Sequence, residues 1–132
     1  MKNDNILNDN STFTKTFKLR DEAILLYKFL EFHAALNNIS KNTLFDKVVR
    51  FSLDYFASKD FNILISDPSK NRVVKGFTVS DNTLDDLIKF KDERTSLKRG
   101  EIVESAIGLY AVENLDKTEL DKFNLNEWFK FR

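Results

Sequence analysis

The sequence contains no cysteine, a single histidine, a single proline and only three glycines. The lack of cysteine excludes a disulfide scaffold and a thiolate metal site. One histidine and three glycines leave neither a metal-ligand spacing nor a glycine-rich phosphate loop. We therefore assign no catalytic residue, no metal ligand and no cofactor, and we expect a protein that is not an enzyme.

Long apolar runs are also missing from the sequence. No stretch reaches the length of about 18 apolar residues that a membrane-spanning helix needs. The first five residues, Met-Lys-Asn-Asp-Asn, are not followed by the apolar segment of a signal peptide. We expect a cytoplasmic protein with no membrane association.

The chain has no net charge, because 21 acidic residues balance 21 basic ones. Proteins that bind nucleic acids neutralise phosphates with lysine and arginine, so such a function would require a local basic patch here. What the chain does contain is apolar material, 42% of its 132 residues, including 13 phenylalanines. That is enough to build the core of one domain or of two small interlocked units.

A strand followed by two helices is predicted twice, about sixty residues apart. The first copy begins Thr-Lys-Thr-Phe-Lys-Leu at residue 14, and the second begins Val-Lys-Gly-Phe-Thr-Val at residue 74. Each alternating strand runs into a helix that opens with an acidic or hydroxyl residue, as helix N-termini favour. Neither unit could bury its strand and helices alone, but two units could bury them against each other.

The first copy consists of a strand at 13–19 and helices at 21–36 and 40–58. Phe17 and Leu19 lie on one strand face, and Thr16 and Lys18 lie on the other. The first helix is apolar nearly all round, so it should be covered on more than one side. Its apolar residues are Ile24, Leu25, Leu26, Tyr27, Phe29, Leu30, Phe32 and Ala34.

The second copy consists of a strand at 73–79 and helices at about 81–94 and 99–115. We divide the whole chain into five segments. They are a flexible tail at 1–11, copy one at 12–58, a linker at 59–71, copy two at 72–115 and a C-terminal aromatic segment at 116–132. The connection between helices is expected to be about two residues longer in the first copy.

Two further apolar segments lie outside the copies. The linker contains an apolar patch at 61–65, which we expect to cover the first helix. The C-terminal segment contains Phe123, Trp128 and Phe129. These aromatic side chains either fold back on the chain's own apolar surface or contact a partner, and we predict partner contact or self-association on a target.

The duplicated pattern resembles the ribbon-helix-helix superfamily of DNA-binding domains, of the Arc, MetJ and CopG type. The second copy carries the resemblance best, in Phe77-Thr78-Val79-Ser80-Asp81 and in residues 101–107 leading to Tyr110. The first copy matches in Thr16-Phe17-Lys18-Leu19 and in residues 40–49. Members of this family pair one strand from each of two subunits. The resemblance implies a mainly α fold with a short antiparallel two-stranded β-ribbon, here a tandem chain forming an intramolecular pseudo-dimer.

The resemblance also implies which residues contact DNA. The ribbon enters the major groove, where lysine donates to guanine and threonine contacts a thymine methyl group. The implied base-reading residues are Thr14, Thr16, Lys18, Val74, Gly76 and Thr78. The implied phosphate contacts, at the starts of the second helices, are Ser40, Lys41, Asn42, Lys98, Arg99 and Gly100. Cations at helix N-termini are locally unfavourable, which a bound phosphate would explain.

The function implied is that of a sequence-specific double-stranded-DNA-binding protein, a transcriptional repressor or autoregulator of a plasmid or phage. One alternative is a DNA-binding accessory protein of plasmid transfer or segregation. Another is a protein-interaction module, such as an antitoxin or an inhibitor of a host factor. The neutral charge and the aromatic C-terminal segment favour this last alternative.

Overall fold

A computed structural model describes residues 12–58, 71–94 and 98–123. Two strands, four long helices and one short helix follow one another in the order β-α-α-β-α-α-α. Their bounds are β1 Thr12–Arg20, α1 Asp21–Leu36, α2 Lys41–Ser58, β2 Arg72–Ser80, α3 Asp81–Arg94, α4 Arg99–Asn114 and α5 Lys117–Asp121. The predicted mainly α class with a two-stranded ribbon is confirmed. The tail at 1–11, residues 59–70 of the linker with their apolar patch, and residues 124–132 lie outside the described residues.

The two strands pair antiparallel within the one chain, with Thr16 opposite Gly76 at the centre of the ribbon. Successive side chains alternate between the faces of a strand, so odd-numbered residues form the inner face of both strands. Phe17 and Leu19 of β1 and Phe77 and Val79 of β2 are buried there. The alternation predicted for the first strand is therefore confirmed.

The helix α1 ends where the sequence places two asparagines. Asn38 has a φ of 60°, and the N–H of Ile39 donates to the carbonyl of Ala34 at 2.8 Å. Asparagine adopts this left-handed conformation more readily than most residues, and the bond satisfies a carbonyl at the helix end. Residues 37–40 connect α1 to α2 in the first half. Residues 95–97 between α3 and α4 lie outside the described residues, so the predicted difference in the length of the two connections stays a prediction.

The second helix of each half packs against the strand of the other half, α2 against β2 and α4 against β1. The two helices also pack against each other, where the Ser52 hydroxyl donates to the carbonyl of Ala106 at 3.2 Å. Below the ribbon, the Phe45 ring stacks on Phe77 at a centroid distance of 4.4 Å. The edge of Tyr27 meets the same Phe77 ring at 4.9 Å, and burial raises the pKa of the tyrosine. The two halves therefore share one core.

The helix α1 is buried on one side only among the described residues. Leu25, Phe32 and Leu36 are 59%, 62% and 69% exposed. The second cover expected from the linker patch falls outside the described residues. Among the helices that the structure describes, none is long and apolar enough to cross a membrane.

Candidate nucleic-acid interface

The outward face of the ribbon brings together the six residues to which the family resemblance gives a base-reading role. Even-numbered residues of β1 lie opposite even-numbered residues of β2, so their side chains share one face. The directly opposed pairs are Thr14 with Thr78, Thr16 with Gly76 and Lys18 with Val74. All six residues are exposed except Thr78, which is half-buried. The face is small and mostly neutral, with Lys18 as its cation.

Two carboxylates hold the second helices against this ribbon in a crossed arrangement. Asp46 and Glu104 occupy the same position, sixth from the start, in α2 and α4. Asp46 Oδ1 accepts the backbone N–H of Ser80 at 3.0 Å, just before α3 begins. Glu104 Oε2 accepts the backbone N–H of Arg20 at 2.7 Å, just before α1 begins. Each half therefore provides the acceptor for the start of the other half's first helix.

The two caps differ because the capped residues differ. The Ser80 hydroxyl accepts the N–H of Thr83 at 3.4 Å, so α3 also has an acceptor of its own. Arg20 makes no side-chain cap for α1. Glu104 accepts the N–H of Arg20 itself, as Asp46 accepts that of Ser80, so it satisfies a different donor from the one that a side-chain cap at Arg20 would bind.

Glu104 also joins two arginines at the end of the ribbon. Arg20 and Arg72 face each other across the strands. Arg72 donates from Nε to Glu104 Oε2 at 2.9 Å and from Nη2 to Oε1 at 3.1 Å, in a two-pronged pair. Arg20 Nε donates to Oε1 at 3.3 Å, and both Arg20 and Glu104 are almost fully buried. This network fixes the first turns of α4 to the end of the ribbon.

A glycine lets the start of α4 approach the backbone of β1. A Cβ atom added at Gly100 would lie 2.3 Å from the carbonyl oxygen of Lys18. Any other residue would force the helix and the strand apart, because that neighbour is backbone and cannot rotate away. Gly100 thereby places Lys98 and Arg99 beside Thr16 and Lys18.

Between β1 and the start of α4 lies an open cleft of about 430 Å³. Its lining is rich in cations and contains one acid. The residues are Lys15, Thr16, Phe17, Lys18, Arg72, Lys98, Arg99, Gly100 and Glu101. Glu101 Oε1 accepts the backbone N–H of Lys98 at 2.8 Å, and Arg72 is paired with Glu104. Lys15, Lys18, Lys98 and Arg99 remain as a local concentration of positive charge in a chain of zero net charge.

The other predicted phosphate site, at the start of α2, is built differently. Ser40, Lys41 and Asn42 are exposed, and they do not line the cleft. The Ser40 hydroxyl accepts the N–H of Asn42 at 3.1 Å. The start of α2 therefore carries its own acceptor, whereas α4 begins with Lys98, whose side chain cannot accept a hydrogen bond.

Sequence reasoning missed four of the residues that shape this region. Lys15 belongs to the inner strand face by alternation, yet it is half-buried and lines the cleft. Arg72, Asp46 and Glu104 were not singled out. The acidic residue at the sixth position of both second helices was a usable signal. Its partner was not predictable, because the partner belongs to the other half.

Phe123 is the one predicted partner-contact residue among those that the structure describes. Phe123 is half-buried, with its ring centroid 5.5 Å from that of Phe29. Trp128 and Phe129 lie outside the described residues. Within the described ranges, no group of three or more histidine, aspartate or glutamate side chains could hold a metal ion. Comparison with models of protein families, with curated proteins and with solved structures found no match for this chain.

Proposed function

We propose that the chain is a tandem ribbon-helix-helix domain that binds double-stranded DNA sequence-specifically. In this proposal the two halves form an intramolecular pseudo-dimer, and the protein acts as a transcriptional repressor or autoregulator. The ribbon enters the major groove, which is about 12 Å wide and admits two paired strands. Its outward side chains then contact base edges.

The observation that carries the proposal is the register of the ribbon. The antiparallel pairing is centred on Thr16 and Gly76, which occupy equivalent positions in the two copies. Each strand therefore extends by the same number of residues on either side of the central pair. The crossed contacts of Asp46 and Glu104 repeat that relation in the helices. Such an arrangement is what a two-fold pairing of strand-helix-helix units requires, and it supports the pseudo-dimer.

The cleft supports the choice of DNA as the ligand. Zero net charge argued against nucleic acid unless the cations were concentrated locally. Lys15, Lys18, Lys98 and Arg99 supply that concentration next to the outward face. In the proposed complex Lys18 contacts a base, while Lys98 and Arg99 contact phosphates. The positive end of the α4 helix dipole, at its N-terminus, adds to this attraction for an anion.

The test is selection of duplexes from a random double-stranded library by the full chain, followed by fluorescence anisotropy on the enriched sequence. We expect one short motif to be enriched and to bind more tightly than its scrambled version. Replacing both Thr16 and Lys18 with alanine should abolish this preference. The matched control removes the same two residue types from α5, as Lys117→Ala with Thr118→Ala, and should leave it intact.

Two outcomes would count against the proposal. Failure to bind any duplex even at low salt would remove DNA as the ligand. Equal binding to the enriched and scrambled duplexes would remove sequence readout and leave only general attraction to phosphates.

A further inference from the structure

An apolar row runs along the outer side of α1, opposite to its buried side. Leu25, Phe29, Phe32 and Leu36 follow one another at intervals of four, three and four residues, which aligns their side chains on one side of a helix. Three of the four are more than half exposed. A surface helix normally presents polar residues on this side, so the row requires an explanation.

One residue of the row is already covered by the C-terminal part of the chain. After α5, Phe123 packs against Phe29 with 5.5 Å between ring centroids. Phe29 in turn lies 6.5 Å from the next ring of the row, that of Phe32. Phe123, the last residue that the structure describes, therefore lies against the row.

The residues that follow have the composition to continue this contact. Leu125, Trp128 and Phe129 are spaced as neighbours on one side of a helix. Nine residues in a helix span about 13 Å, and the row from Leu25 to Leu36 spans about 16 Å at the same rise. The segment 124–132 is thus long enough to reach either end of the row from Phe123.

The size of the row favours a short segment over a second copy of the chain. The exposed parts of three such side chains amount to roughly 350 Å². A stable protein interface buries about 800 Å² on each partner. A segment of nine residues with three large apolar side chains matches the smaller area.

We propose that residues 124–132 dock on the outer side of α1, with Trp128 covering Phe32 and Leu36. In this proposal the C-terminal segment, rather than the linker patch at 61–65, supplies the second cover of α1, so it belongs to the fold and does not serve a partner. This inference is independent of the proposed DNA binding, because the row lies on α1 and shares no residue with the ribbon face or the cleft.

Trp128 is the sole tryptophan of the chain, so its fluorescence reports on the segment directly. We expect blue-shifted emission and weak quenching by acrylamide in the full chain, both unchanged on dilution. Phe32→Ala and Leu36→Ala should each shift the emission to the red and increase quenching. The matched control is Val73→Ala, which removes a 48% exposed apolar side chain outside the row and should change neither quantity.

Circular dichroism accompanies each variant. If Phe32→Ala loses helical signal, the fluorescence of Leu36→Ala alone provides the test, because Leu36 is the last residue of α1. Fully exposed Trp128 in the unmodified chain would overturn the proposal. Burial that disappears on dilution would replace the segment with a second copy as the occupant. Burial insensitive to both α1 variants would place the segment elsewhere.

Discussion

Glu104 in α4 accepts the backbone N–H of Arg20 at 2.7 Å, so a carboxylate from one half accepts a hydrogen bond at the start of the first helix of the other half. The same carboxylate pairs with the side chains of Arg20 and Arg72. Isolated charges are costly to bury, and the Glu104 carboxylate offsets that cost for the two arginine cations. The contact therefore couples folding of the two halves.

Replacing Glu104 with glutamine should destabilise the protein by about 3 kcal/mol, because it removes the carboxylate charge that pairs with the buried Arg20 side chain. The measurement is the free energy of unfolding from urea titration followed by circular dichroism. Glu113→Gln, at an exposed position of the same helix, is the matched control and should change stability by less than about 0.5 kcal/mol. Equal effects at the two positions would show that the buried network contributes nothing specific.

Replacing Gly100 with alanine should destabilise the chain by about 1–3 kcal/mol, although alanine is normally the better helix former. The added Cβ would meet the Lys18 carbonyl oxygen at 2.3 Å. Gly76→Ala is the comparison, because its Cβ would meet side-chain methyl groups and no backbone, that of Thr14 at 3.1 Å and that of Thr16 at 3.9 Å, and such side chains can rotate. Urea titration should rank Gly100→Ala as the more damaging change, and the reverse order would contradict the close approach.

Replacing Lys18 with alanine should cost about 1–3 kcal/mol of binding to the selected duplex and much less on a scrambled one, since a base contact discriminates between sequences. Anisotropy titrations on both duplexes measure the difference. Lys28→Ala, at an exposed position on α1, removes the same charge elsewhere and should leave the preference unchanged. An equal loss on both duplexes would make Lys18 a phosphate contact.

Replacing Arg99 with alanine should weaken binding to every duplex and reduce the slope of log K against log salt by about 1, as loss of one phosphate contact does. Lys41→Ala should have a smaller effect, because the start of α2 lies outside the cleft and is capped by Ser40. Titrations at several salt concentrations give both slopes. Identical slopes for the two variants would mean that the two helix starts are equivalent, contrary to their different geometry.

Local patterns in the sequence were sufficient for the two strands, the four long helices and the faces of the strands, whereas the short helix α5 was not predicted. The alternation ending in Phe17 and Leu19 identified the inner face of β1, and Asn37-Asn38 identified the end of α1. Both depend on residues close together in the chain, where backbone preference and side-chain spacing decide the outcome.

The contacts between the halves could not be predicted in the same way. Glu104 is 84 residues from Arg20, and nothing in the local spacing of either residue specifies the other. In α4, Glu104 and Ser105 are buried together with the apolar residues around them. The partners of Glu104 are Arg20 and Arg72, which belong to the two strands and are revealed only by the assembled fold. The Ser105 hydroxyl instead donates to the Glu101 carbonyl of its own helix.

The ribbon has Thr16 opposite Gly76 at its centre. When two identical strands pair around a central residue, that residue must face a copy of itself, and both directions along the ribbon are the same. Here the central pair consists of two different residues, and Lys18 has Thr78 as its counterpart in the other strand. The two directions along the outward face of the ribbon are therefore not equivalent. In the proposed complex the protein would bind its DNA in one orientation only.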